Sequence, residues 1–99
     1  MEEEPEVITN EDDMMLLKLI ASLNNKNYHD ELDYEGLMTA LDVVYALGAE
    51  VVIIFGKSIY IHYNEYFNRV ATDTTLSAAI FEALHHFSHW YLKHNQDEN

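Results

Sequence analysis

Four of the six histidines stand close together near the end of the chain: His85, His86, His89 and His94. On a helix, His85 and His89 project from the same side, because four positions make about one turn, and two imidazoles at this spacing can share one metal ion. Glu82 stands one turn before His86 and adds a carboxylate oxygen. We therefore take Glu82, His85, His86 and His89 as candidate metal ligands.

These positions also fit a simpler interpretation. The spacing lacks the glutamate of a His-Glu-x-x-His motif, so it predicts no zinc hydrolase. Glu82, His86, His89 and Lys93 would form the polar side of an amphipathic helix, while His85 borders the core. In that interpretation the histidines bind no metal and gain positive charge near pH 6.

Acidic side chains are the second group with a chemical use. The chain carries 18 acidic and 5 basic residues, a net charge of −13 over 99 residues. Phosphate backbones and anionic membranes are held by clustered lysines and arginines, so we expect neither nucleic-acid nor membrane binding. Five acids stand before or within the second predicted helix: Asp30, Glu31, Asp33, Glu35 and Asp42.

These five acids have two interpretations. Gathered on one surface, they would imitate the regular negative charge of DNA and occupy a protein that binds nucleic acid. Spread over the domain, they would only keep it monomeric and soluble. The choice depends on whether the fold brings the segment from Asp30 to Glu35 together with Asp42.

Aromatic side chains offer a different kind of surface. Tyrosine and tryptophan are favoured at protein interfaces. The candidates for an exposed patch are Tyr60, Tyr63, Tyr66, Phe67, Trp90 and Tyr91, with Tyr60, Tyr66 and Trp90 as the chosen partner-binding residues. A symmetric homodimer is the simplest partner for such a patch. On a small sheet, however, aromatic residues more often pack in the core and in cross-strand pairs.

Other chemistry has no support in the sequence. The chain has no cysteine, which removes disulfides, thiolate nucleophiles and cysteine-based zinc sites and fits a reducing cytosol. Its serines lie in no triad context, and there is neither a glycine-rich phosphate loop nor an aspartate-rich calcium loop. No apolar run is longer than five residues, as at residues 51–55, which is far shorter than the roughly 20 residues of a membrane helix. We expect a soluble cytoplasmic protein, no enzyme activity and no cofactor.

Hydrophobic spacing predicts three helices. The first is opened by Thr9 and Asp12 and has an apolar stripe at i, i+3, i+4 and i+7: Leu16, Leu19, Ile20 and Leu23. The second is capped by Asp33 and ends at Gly48, with a predicted buried stripe of Leu37, Leu41, Val44 and Tyr45. The longest covers residues 74–94 with its N-cap at residues 72–73. Residues 24–30 between the first two helices are polar and predict a loop.

Between the second and last helices the hydrophobic period changes to that of strands. Residues 51–55 are continuously apolar, which is typical of a strand covered on both faces. Gly56-Lys57 predicts a hairpin turn, residues 59–63 a second strand and residues 66–71 a third. A sheet with two apolar faces predicts helices packed on opposite sides.

The chain is therefore predicted to be one small α+β domain over residues 9–95. Its order is α-α-β-β-(β)-α, with an antiparallel sheet of two or three strands sandwiched by helices. Residues 1–8, with four glutamates and the only proline, predict a disordered acidic tail, and residues 96–99 a disordered C-terminus.

Two stretches resemble a known family. Residues 34–48, YEGLMTALDVVYALG, look like the middle helix of the phage ABA sandwich domain family, in which an aromatic-led helix precedes a small meander. Residues 70–80, VATDTTLSAAI, are similar to that family's entry to its last helix. The resemblance implies a small helix–sheet–helix protein of bacteriophage origin and carries no catalytic residues over.

Together these patterns favour a non-enzymatic protein that acts by protein–protein contact in a bacterial cytosol. Its most specific form is an inhibitor that presents acidic residues to the basic groove of a host nucleic-acid-binding or defence protein. The alternatives are an assembly protein that oligomerises through an aromatic sheet face, and a metal or small-ligand binder that uses the last helix.

Overall fold

The computed structural model describes residues 11–24, 28–54, 56–63 and 65–97. Its elements are, in chain order, α1 (Glu11–Ser22), the single turn α2 (Tyr28–Glu31), α3 (Tyr34–Ala46), β1 (Glu50–Ile54), β2 (Ser58–Tyr63), β3 (Phe67–Thr72) and α4 (Leu76–Asp97). The α+β class, the third strand and the predicted order are confirmed, with α2 as an added turn in the segment predicted as a loop. The acidic tail predicted for residues 1–8 lies outside the described residues. α4 continues two residues past the predicted end of the domain.

Local sequence sets both ends of α3, as predicted. The Asp33 carboxylate accepts a hydrogen bond from the Gly36 backbone N–H at 2.9 Å, which satisfies one of the free donors of the first turn. Gly48 follows the last turn with φ 110°, a conformation that residues with a Cβ rarely adopt. The start of α4 differs from the prediction: Thr75 Oγ1 accepts from the Ala78 N–H at 3.1 Å, so the helix begins at Leu76, after the residues proposed as its cap.

The sheet is an antiparallel meander in the order β1-β2-β3. Gly56, with φ 103°, forms the first turn together with Lys57, as predicted. The register places Val52 opposite Tyr60 and Tyr60 opposite Val70. Because side chains alternate along a strand, these three share one face, and Ile59 and Ile61 lie on the other.

α4 is the central layer of the domain. One side of it packs on β2 and β3, where Ile59 and Ile61 are fully buried, and its other side packs on α1 and α3. Phe87 fills the sheet side, edge-on to Tyr63 and Phe67 with ring centroids 5.9 and 5.3 Å away. Because α4 is covered from two directions, it buries residues over most of its circumference: Ala79, Ile80, Phe81, Ala83, Leu84, Phe87, Ser88 and Tyr91.

The sequence predicted that helices cover both faces of the sheet, but the described helices cover only one of them. Among the described residues, α4 alone packs across the sheet, and it does so on the face of Ile59 and Ile61. On the opposite, outer face Val52, Ile54 and Val70 remain 41–54 % exposed. β1 was therefore wrongly predicted to be covered on both faces. It is an edge strand, and α4 reaches the sheet mainly through β2 and β3.

Candidate protein-interaction surfaces

The outward side of α3 carries tyrosines and acids together. Glu35 and Asp42 are both exposed and stand seven residues apart, which puts them on the same side of the helix about 10.5 Å apart along its axis. Tyr34 and Tyr45, eleven residues apart, also share a side and are 51 % and 70 % exposed. We call the set Tyr34, Glu35, Met38, Asp42 and Tyr45 the α3 face.

The remaining predicted acids precede α3 in the chain. Asp30 and Glu31 are exposed residues of α2, immediately before α3. Asp33 is exposed too, but its carboxylate caps the helix and so has a structural use of its own. Residues 28–56 contain six acids and no lysine or arginine, so the α3 face is negatively charged with no basic residue in its own segment.

Tyr45 corrects a prediction. Its spacing from Leu41 and Val44 suggested a buried stripe, yet Leu41 and Val44 are buried and Tyr45 is the most exposed large apolar side chain described. The buried sector of α3 extends from Val43 to Leu41, and Tyr45 lies about 40° beyond Leu41 around the helix. The sequence signal for this was Asp42, one turn before Tyr45, which marks the solvent side.

The predicted aromatic residues do not form one surface. Trp90 packs between the sheet and α4, with ring centroids 5.7 Å from Tyr63 and 5.6 Å from Phe67. Tyr60 lies on the outer face, where its hydroxyl donates to Asn68 Oδ1 at 2.9 Å. Tyr66 is exposed in the turn between β2 and β3. Tyr60 and Trp90 are thus on opposite faces of the sheet.

The His85 ring contacts those of His86 and His89, and His85 also contacts α1. His85 Nδ1 lies 2.9 Å from the Ile20 carbonyl oxygen, and since a carbonyl only accepts, Nδ1 is the donor. The His85 and His89 ring centroids are 4.7 Å apart. Within the described part of the chain, no group of three or more His, Cys, Asp or Glu side chains could hold a metal ion. The metal site proposed for Glu82, His85, His86 and His89 stays a prediction.

The pKa values of two neighbouring side chains of α4, Glu82 and His86, are shifted in opposite directions. Burial raises the pKa of Glu82, helped by the charge of Asp73 and a hydrogen bond with it, and partly opposed by Arg69. Burial lowers the pKa of His86, helped by Arg69, His85 and His89. The direction of this shift means that His86 becomes charged at a lower pH than an ordinary histidine, whereas the sequence predicted charging of the whole cluster near pH 6.

None of the helices in the described parts of the chain combines the length and the apolar character that a membrane span requires. Comparison of the chain with protein-family models, with curated proteins and with solved structures returned no match.

Proposed function

We propose that this chain is a non-enzymatic binding protein that docks on a basic protein through the α3 face. The observation that carries the proposal is the exposure of Tyr45, at 70 %, one turn from the exposed Asp42. Tyrosine contributes large contact area at interfaces with few rotatable bonds, and the acids around it favour a partner of opposite charge.

The charge of the α3 face specifies the partner further. A basic protein surface that attracts these acids would also attract the phosphate groups of nucleic acid, because both are negatively charged. We therefore expect the chain to compete with nucleic acid and to inhibit a nucleic-acid-binding or defence protein. We further propose a target in the cytosol of a bacterial host, on the ground that residues 34–48 and 70–80 resemble the phage ABA sandwich domain family.

Affinity capture from bacterial lysate tests this proposal, with Tyr45→Ala and Tyr66→Ala as a matched pair. Both tyrosines are almost equally exposed, at 70 % and 69 %, but only Tyr45 belongs to the α3 face. We expect wild type and Tyr66→Ala to capture basic proteins that Tyr45→Ala does not retain. Duplex DNA and added salt should both release them, because salt screens the charges that steer association.

Two results would contradict the proposal. Capture that resists both salt and DNA would remove the charge-driven mechanism. Equal loss by Tyr45→Ala and Tyr66→Ala would show that the α3 face has no special part in binding.

A further inference from the structure

The two edge strands of the sheet differ in their protection. β3 carries Arg69 in register with Ile61, on the face that packs against α4, and its charge acts on Glu82 and His86 there. A charged side chain on an edge strand is a device by which proteins prevent the pairing of edges, and Arg69 is such a charge at an exposed position. β1 has no lysine, arginine or proline and carries a charge only at its first residue, Glu50. Within the parts of the chain that the structure describes, β1 is therefore the unprotected edge.

β1 is also exposed on both of its faces. Val52 and Ile54 are 48 % and 41 % exposed on the outer face, and Ile53 is 44 % exposed on the face of α4. Another protein sheet stacked on the outer face would cover Val52 and Ile54 but not Ile53. A further strand alongside β1 would contact all three and would bind the free backbone groups of the edge.

The charge distribution selects the occupant of this edge. Residues 1–49 hold twelve acids and two bases, whereas residues 50–72 hold two of each and are neutral. Two copies that meet through their helices would oppose like charges, but two copies that meet through their sheets would not. The sheet is thus the part of this acidic chain where self-association is electrostatically permitted.

We propose that β1 pairs with β1 of a second copy, antiparallel about a two-fold axis at Val52, to join two sheets into one of six strands. This register pairs all five residues of the strand: Val52 faces the partner's Val52, and Glu50 faces the partner's Ile54. Axes at Val51 or Ile53 would pair only three. It also keeps the two glutamates apart, and like charges opposite each other destabilise a sheet.

Sedimentation of Val52→Lys and Val70→Lys tests the edge. The two valines are similarly exposed on the same face and both lie opposite Tyr60, but Val52 is on β1 and Val70 on β3. We expect wild type and Val70→Lys to sediment as dimers of twice 11.5 kDa at micromolar concentration, and Val52→Lys to dissociate at least about tenfold more readily. A monomeric wild type, or equal effects of both substitutions, would overturn the proposal, the second result in favour of face-to-face stacking.

Disulfide trapping tests the register with substitutions that leave the strand apolar. The native chain has no cysteine, so each introduced thiol is unique. Val52→Cys should form a covalent dimer on mild oxidation, since directly opposite Cβ atoms are about 5 Å apart. Ile54→Cys should not, because the two copies of residue 54 would be separated by about 13 Å along the strands. Equal trapping of both variants, or trapping of Ile54→Cys alone, would contradict an axis at Val52.

Discussion

Val52 and Val70 lie on the same outer face of the sheet, on either side of Tyr60 and in register with it, and both leave about half of their surface exposed. They differ in the edge to which they belong, because Arg69 precedes Val70 on β3 and no basic residue lies on β1. The molecule therefore divides into a helical part with an acidic α3 face and a neutral sheet with one unprotected edge.

Replacement of Tyr45 should leave stability almost unchanged. Tyr45→Ala should alter the free energy of unfolding by no more than about 0.5 kcal/mol, because the side chain is mostly in solvent. Val44→Ala, one residue earlier and fully buried, should lower it by about 2 kcal/mol. Urea unfolding compares the two. A loss for Tyr45→Ala as large as that for Val44→Ala would mean that Tyr45 is part of the core.

Ser88→Ala should stabilise the protein. Ser88 is fully buried, and in the described part of the chain its Oγ has no hydrogen-bond partner. Removal of an unsatisfied hydroxyl and the higher helix propensity of alanine should together raise the free energy of unfolding by about 1 kcal/mol. Ser77→Ala, at a partly exposed position in the first turn of α4, controls for helix propensity. Destabilisation by Ser88→Ala would show that the hydroxyl is satisfied.

His86 should make the fold less stable in mild acid. Its pKa in the folded protein lies below the ordinary 6.5, chiefly because of burial and then because of Arg69, His85 and His89. The folded state therefore binds this proton less well than the unfolded state, and the contribution of neutral His86 is lost as pH falls through 6.5 towards the folded pKa. The melting temperature of His86→Asn should fall less than that of wild type when the pH is lowered from about 7.5 to 5.5.

Glu82 supplies the control for this pH dependence. Its folded pKa is raised above 4.5 by burial and by Asp73, so its contribution has the opposite sign and grows as pH falls through the raised value. The Glu82→Gln variant should still lose stability as the pH falls through 6.5, as wild type does. Identical pH profiles for wild type and His86→Asn would contradict the assignment of that loss to His86.

The three longer helices were predictable because their signals are local, whereas the single turn α2 was predicted as a loop. Asp33 and Gly48 set the ends of α3 through a hydrogen bond and a backbone angle that involve only near neighbours. The same holds for the turn at Gly56. Glu35 and Asp42 share a side of α3 by helical geometry alone, so these acids of the candidate site were also accessible from the sequence.

The coverage of the sheet was not predictable in this way. A run such as residues 51–54 reports apolar side chains but not which faces a helix will reach, and that depends on α4 packing on β2 and β3. Tyr45 failed for a related reason: it lies just past the edge of the buried sector, where a spacing rule cannot separate core from surface. Both features depend on tertiary packing, and both became candidate interaction sites.

The binding of a captured basic protein to two charge-matched variants tests the central claim most directly. Glu35→Gln/Asp42→Asn removes two charges from the α3 face, and Glu11→Gln/Glu65→Gln removes two from exposed positions elsewhere. We predict that the first variant raises the dissociation constant by at least about tenfold. The dissociation constant of the second should stay within about twofold of the wild-type value. Equal weakening by both variants would show that net charge rather than the α3 face drives binding and would contradict the account.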